Sequence, residues 1–212
     1  MSSRADANSI LPRLLSIPGG LRALEHLRRA RADYGRSVAA SLHISIQEAV
    51  SILEALESIG LVERVEGSSI KRTEAKMKLA DEVRKHHTYY RLSREGELLL
   101  RSLDEDALID GYLLVLRGDE LGLALLRAAR RIGFDHAATY AKLVGRPVED
   151  VEAELERLAR MGLMEAPGGR VIKRSDRKAK VKAETRVHHR YYGLSREGEL
   201  LLRRLDRAAR PL

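Results

Sequence analysis

The sequence predicts a mostly α-helical fold with β-hairpins, an α+β protein built as two tandem copies of one domain. The first observation is an internal repeat, because residues 86–104 match residues 188–206 at 16 of 19 positions. The same offset of 102 residues continues backwards without a gap, as Gly60 and Gly162 show. A period of about 100 residues is the size of a whole small domain and too long for a solenoid repeat. The predicted domains are residues 1–106 and 107–212.

Composition limits the classes of function that the chain can serve. The absence of cysteine excludes a disulfide framework and a thiolate metal site. No apolar run approaches the roughly 18 residues of a membrane span, so we expect no membrane partner and a cytoplasmic, nucleoid-associated protein. The net charge of +8 and the pI near 9.9 favour a polyanionic partner.

The helical elements follow from apolar periodicity. Leu21, Leu24 and Leu27 predict a first helix over about residues 20–32, and Leu123 and Leu126 repeat the pattern. Residues 38–42 predict a short second helix. Residues 46–59 predict a third helix, which Gly60 ends. A leading helix or strand is predicted at residues 8–14 and again at 107–116.

The segments after each third helix predict a hairpin and a final helix. The hairpins span about residues 61–92 and 163–194, and the strict polar–apolar alternation of residues 178–187 is the clearest strand signal. Ser93 and Ser195 are the predicted N-caps of the final helices. Helix, turn, helix and hairpin in this order predict two winged-helix domains, with the hairpins as β-wings.

Two motifs resemble known families. Gly-Leu-(Val/Met)-Glu, then a hairpin and Tyr-x-Leu-Ser-x-x-Gly-x-x-Leu-Leu, is similar to the MarR/PadR-type winged-helix regulators of prokaryotes. The His-His-x-Tyr-Tyr segment resembles an uncharacterised archaeal winged-helix family. This resemblance implies binding to double-stranded DNA, commonly in transcriptional control, and in some archaeal tandem proteins at replication origins.

Charge places the predicted DNA contacts on the wings. The third helix, which reads the major groove in this fold, is rich in acids here, so like charge opposes its approach to phosphates. Each wing is instead rich in basic residues. The predicted DNA-binding residues are Lys71, Arg72, Lys76, Lys78, Lys173, Arg174, Arg177, Lys178, Lys180, Lys182 and Arg186. Candidates for groove readout are Gln47, Ser51, Arg157 and Arg160.

Two alternatives to transcriptional regulation stay open. One is a replication-origin or chromatin role on DNA. The other is a winged-helix scaffold that binds proteins, because Val50 and Ile52 lie off the core stripe of the first third helix while Glu152 and Glu154 occupy the equivalent positions. These two residues are the candidate surface for self-association or a protein partner. The motifs predict no enzyme activity, no catalytic residue, no metal and no cofactor.

Overall fold

The computed structural model describes residues 10–65, 88–166 and 190–209, which form two compact units, Met1–Val115 and Leu116–Leu212. Both units are mostly helical with a small antiparallel sheet. In the first unit the elements are α1 (residues 10–15), α2 (Gly20–Ala30), β1 (Ala32–Tyr34), α3 (Gly35–Leu42), α4 (Ile46–Ser58), β2 (Val62–Val65), β3 (Tyr89–Leu92), α5 (Arg94–Ser102) and α6 (Glu105–Val115). The second unit has α7 (Glu120–Ile132), β4 (Asp135–His136), α8 (Ala137–Val144), α9 (Val148–Met161), β5 (Met164–Glu165), β6 (Tyr191–Leu194) and α10 (Arg196–Ala208).

The third helix of each unit is held by one apolar face. In α4, Ala49, Leu53 and Leu56 are fully buried. Their counterparts in α9, which are also fully buried, are Val151, Leu155 and Leu158. A capping box starts α4, since the Ser45 side chain accepts from the Glu48 N–H while the Glu48 side chain accepts from the Ser45 N–H. Gly162 ends α9 with a φ of 87°, a conformation that favours glycine. One face of each third helix is therefore fixed, and the other is available to solvent.

A short strand that the sequence patterns did not indicate completes each sheet. The first helix was predicted to run to about residue 32, but α2 ends at Ala30 and Ala32–Tyr34 forms β1. This prediction was wrong because β1 is stabilised by a remote partner: Ala32 pairs with Arg91 and Tyr34 with Tyr89. The resulting strand order is β1–β3–β2, and the second unit repeats it as β4–β6–β5.

The Leu-Ser-x-x-Gly motif joins the sheet to the last helix. The Ser93 hydroxyl donates to the carbonyl oxygen of Gly60 at 2.6 Å and accepts from the N–H of Gly96 at 3.0 Å. The backbone carbonyl of Leu61 lies where a side chain on Gly96 would begin. Ser195, Gly198 and Leu163 repeat the cap and the close approach. The motif is therefore explained by backbone packing.

The leading segment of the second repeat is the helix α6, and it packs within the first unit. A Cβ added to Gly111 would lie 2.8 Å from the Leu15 side chain and 3.1 Å from that of Leu11. Ile109 and Tyr112 are buried beside it. None of the helices within the described ranges is both long enough and apolar enough to cross a membrane.

Candidate nucleic-acid interface

All of the predicted wing contacts lie outside the described residues. These are Lys71, Arg72, Lys76, Lys78, Lys173, Arg174, Arg177, Lys178, Lys180, Lys182 and Arg186. The structure describes the strands that bracket them. In the first unit β2 and β3 pair antiparallel from Val62–Leu92 to Val65–Tyr89, and in the second Met164 pairs with Leu194. The described residues that flank each basic segment, residues 66–87 and residues 167–189, therefore lie on or beside neighbouring strands of one sheet.

The exposed face of α4 carries two of the predicted groove-readout residues. Gln47 and Ser51 are exposed, together with Glu54. Ile46, the first residue of the helix, is 48% exposed, and its counterpart Val148 is 39% exposed. This face therefore combines small polar and apolar side chains with a carboxylate, and α4 has no basic residue.

Two arginines of the first sheet form ion pairs with carboxylates of α4 and β2. Arg64 on β2 donates to Glu57 at 2.9 Å, and its guanidinium carbon lies 5.8 Å from the ring centroid of Tyr90. The bond to Glu57 raises the pKa of Arg64. Arg91 on β3 donates to Glu63 at 2.6 Å. These charges are engaged in cross-strand and helix–strand pairs.

In the second unit, Arg157 belongs to a partly buried ion cluster. Its guanidinium donates to Glu154 at 2.6 and 2.8 Å and also bonds Asp119, the N-cap residue of α7. The bond to Glu154 is the main cause of a raised pKa for Arg157. The Arg157 side chain is only 32% exposed. The structure thus ties this predicted groove-readout residue to the first helix of its own unit.

Arg160 lies nearer to solvent, beside a second carboxylate. It donates to Glu156 at 3.3 Å, and its side chain is 44% exposed. Arg190, the residue before β6, also bonds Glu156. The remaining acids of α9 at positions 149, 150 and 152 are exposed. The solvent face of α9 is therefore more acidic than that of α4.

Val50 and Ile52, the candidate partner surface, are half-buried against their own unit. A Cβ added to Gly35 would lie 2.7 Å from Cγ2 of Val50, and one added to Gly19 would lie 3.2 Å from Cδ1 of Ile52. The glycines let these branched side chains approach the backbone closely. Both side chains thus have neighbours within the unit, and an external partner there stays a prediction.

A basic surface on the second unit combines arginines of two helices, which the sequence patterns treated separately. Arg130 on α7 donates to Asp206 on α10 at 2.8 Å, which brings the two helices side by side at this point. We call the exposed arginines around this pair the arginine face: Arg127, Arg130, Arg131, Arg203, Arg204 and Arg207. Comparing equivalent positions of the two repeats is the signal that would have found it. No metal-binding group of three or more His, Asp or Glu side chains occurs within the described part of the chain.

Comparison with known proteins identifies the family. One family model matches residues 12–103 and matches again at residues 113–205. The family is described as "Uncharacterized protein conserved in archaea (DUF2250)", and the chain belongs to it. The two matches agree with the tandem duplication predicted from the sequence. No curated protein and no solved structure matches the chain.

Proposed function

We propose that this member of the archaeal family is a double-stranded DNA-binding protein, acting in transcriptional control, whose two units are winged helices. The order of elements that both units share supports the proposal: helix, short strand, two helices, two strands and a further helix. The resemblance of the Leu-Ser-x-x-Gly region to MarR/PadR-type regulators supports the role in transcription. Two binding units in one chain also raise each other's effective concentration on one duplex.

The observation that carries the proposal is the pairing of the strands around each basic segment. Because β2 pairs with β3 and β5 with β6, each segment starts and ends at adjacent strands. Residues 66–87 contain six Lys or Arg and four acids, and residues 167–189 contain eight and two. A basic segment that joins two paired strands suits contact with the phosphate backbone.

The third helices are poorly suited to reading bases, so the proposal places the main contacts with the phosphate backbone on other elements. The acids on α9 would meet phosphates with like charge, and Arg157 and Arg160 already bond carboxylates. Gln47 and Ser51 on α4 are the exposed polar side chains left for a groove contact. The proposal therefore assigns most of the affinity to phosphates and a small part to sequence.

The test is binding to a random duplex of about 30 base pairs between roughly 50 and 200 mM salt. We expect wild type to give a steep decline of log affinity with log salt. Replacing Lys71, Arg72, Lys173, Arg174 and Lys178 with Ala should reduce the slope by up to about 4.5, since each neutralised phosphate contributes about 0.9. The control variant, Gln47→Ala with Ser51→Ala, should leave the slope unchanged. A normal slope in the wing variant would contradict the wing-led proposal.

A second candidate function is a protein-binding scaffold. The observation that favours it is the acidic third helix of each unit, which begins with an exposed apolar residue, Ile46 or Val148. Such a surface suits a partner with basic and apolar groups better than it suits DNA. Absence of duplex binding by wild type at about 50 mM salt would favour this scaffold and exclude the DNA proposal.

A further inference from the structure

The two repeats differ sharply in net charge. Residues 1–106 contain 17 Lys or Arg and 16 acids, a net charge of +1. Residues 107–212 contain 22 Lys or Arg and 15 acids, a net charge of +7. Nearly all of the excess positive charge therefore belongs to the second repeat, although its third helix is the more acidic one.

The arginine face of the second unit accounts for part of this excess among the described residues. Arg127, Arg130 and Arg131 lie three and four residues apart on α7, so they share one side of that helix. Arg203 and Arg207 lie four residues apart on α10. The bond between Arg130 and Asp206 joins the two rows.

Three of the six arginines have no acidic partner among the described residues. Arg130 is paired with Asp206 at 2.8 Å and Arg203 with Glu199 at 2.9 Å. Among the residues that the structure describes, Arg127, Arg131 and Arg207 form no ion pair. Six arginines and two acids leave a net charge of +4 on this surface.

The same positions of the first repeat provide an internal reference. They hold three arginines, Arg28, Arg29 and Arg101, and four acids, Glu25, Glu97, Asp104 and Glu105. Their net charge is −1. Arginines in the last turn of a helix stabilise its dipole in both repeats, so the dipole explains Arg28, Arg29, Arg130 and Arg131 alike. It also applies to Arg207, which lies in the last turn of α10. It does not explain why Glu25 and Ser102 are replaced by arginine.

The composition of the surface favours the phosphate backbone as its ligand. Protein interfaces are enriched in apolar and aromatic side chains at their centre, and helices that lie on a membrane bury an apolar face in it. The large apolar side chains that are exposed within the described ranges are Ile46, Leu98, Leu114, Leu143 and Val148, and none of them lies on α7 or α10. The basic groups are all guanidinium groups, whose planar forks match phosphate oxygens.

We infer that the arginine face of α7 and α10 is a second contact surface for duplex phosphates, separate from the wings and specific to the second repeat. The inference rests on the proposed function, because it assigns the same ligand to a further site. It makes the second repeat the main DNA-binding half of the chain.

The test compares two variants of the full chain that each lose three positive charges. The face variant carries Arg127→Gln, Arg204→Gln and Arg207→Gln, and the control carries Arg28→Gln, Arg29→Gln and Arg101→Gln at the reference surface. We expect the salt slope on a random duplex to fall by up to about 2.7 in the face variant, at about 0.9 per contact, and by less than about 1 in the control. Equal slopes in the two variants would overturn the inference.

Further measurements separate the possible causes. A variant with Lys at positions 127, 204 and 207 keeps the positive charges, so it should keep the wild-type salt slope. If the triple Gln variant unfolds, the single variant Arg127→Gln replaces it, and its salt slope should fall by about 0.9. If the wing variant lowers the salt slope and the face variant does not, this inference alone is rejected. If the wild-type protein does not bind the duplex at all, the proposed function is rejected as well. If the face variant loses binding to phosphatidylserine vesicles while its duplex binding is unchanged, the arginine face binds lipid and the inference is overturned.

Discussion

The two repeats fill the space between their first and third helices in opposite ways. In the second unit, Asp119, Glu154 and Arg157 form a partly buried ion cluster there. The equivalent residues of the first unit are Ile17, Ile52 and Ala55. Ile17 lies 3.1 Å and Ile52 lies 3.2 Å from the Cβ positions of the adjacent glycines. One backbone thus accepts either a salt-bridged or an apolar filling, as expected when the cost of desolvating charges offsets their attraction.

This comparison changes the meaning of the apolar residues that are unique to the first repeat. Considered alone, Ile52 on a helix with exposed acids suggests a surface for a partner. Considered beside Glu154, it is the apolar substitute for one member of an ion cluster. A difference between copies therefore indicates function only after the packing of both copies has been compared.

A second exchange occurs in the sheets. In the first unit Ala32 pairs with Arg91 across β1 and β3. The equivalent residues of the second unit are Phe134 and Gly193. The ring of Phe134 covers Gly193 so closely that a Cβ there would collide with it. The larger side chain of the two is on β3 in the first unit. In the second unit it is Phe134, just before β4, and the equivalent position on β6 is a glycine.

The largest expected effect comes from breaking this exchange. Gly193→Ala should destabilise the second unit by about 2–3 kcal/mol, because the added methyl group overpacks the Phe134 ring. For a unit of this size that is a fall in Tm of roughly 10–20 °C, which differential scanning calorimetry would measure. In a Phe134→Ala background the same substitution should cost under about 1 kcal/mol, since the obstructing ring is gone. Equal costs in both backgrounds would show that the two positions are not coupled.

The ion cluster gives a smaller effect. Arg157→Ala should destabilise the second unit by about 1–2 kcal/mol, since it leaves two carboxylates adjacent and without their cation in a partly buried site. Adding Glu154→Ile, the residue of the first repeat, should recover much of this loss, while Asp119 keeps its bond to the Gly122 N–H. Urea denaturation measures the free energy of unfolding of the single and the double variant. The matched control, Arg160→Ala, breaks an exposed pair and should change the free energy of unfolding by less than about 0.5 kcal/mol. No recovery in the double variant would mean that the apolar filling is specific to the first repeat.

The smallest effect concerns a pair of tyrosines that both repeats share. Burial raises the pKa of Tyr90 and of Tyr192. The pKa of each tyrosine in the folded state lies above its unfolded value of about 10. Their contribution to the free energy of unfolding is therefore complete below about pH 10, and it is lost as the pH rises through the folded-state pKa. In a spectrophotometric titration at high pH, Tyr90→Phe and Tyr192→Phe should each remove one late-ionising phenol. Loss of an early-ionising phenol instead would contradict the equivalence of the two sites.

Much of the fold was predictable because it follows from local patterns. The spacing of Leu53 and Leu56, the cap at Ser45 and the glycine at position 60 determine the third helix, which was predicted at residues 46–59 and found at Ile46–Ser58. The repeat itself, visible in residues 86–104 and 188–206, predicted the duplication that the two family matches confirm. The candidate site was less predictable, because exposure and ion pairing depend on remote residues.

The sequence by itself determined the duplication, the helical periodicities, the caps and the net charge, because each of these is a property of neighbouring residues or of composition. Only the tertiary structure decided that Ala32–Tyr34 is a strand, since its hydrogen bonds come from a partner almost sixty residues away. It also decided that Arg157 pairs with Asp119, and that the arginines of α7 and α10 share one surface. These features arise where separate elements meet, and the free energy of such contacts depends on distance and burial that no local pattern encodes.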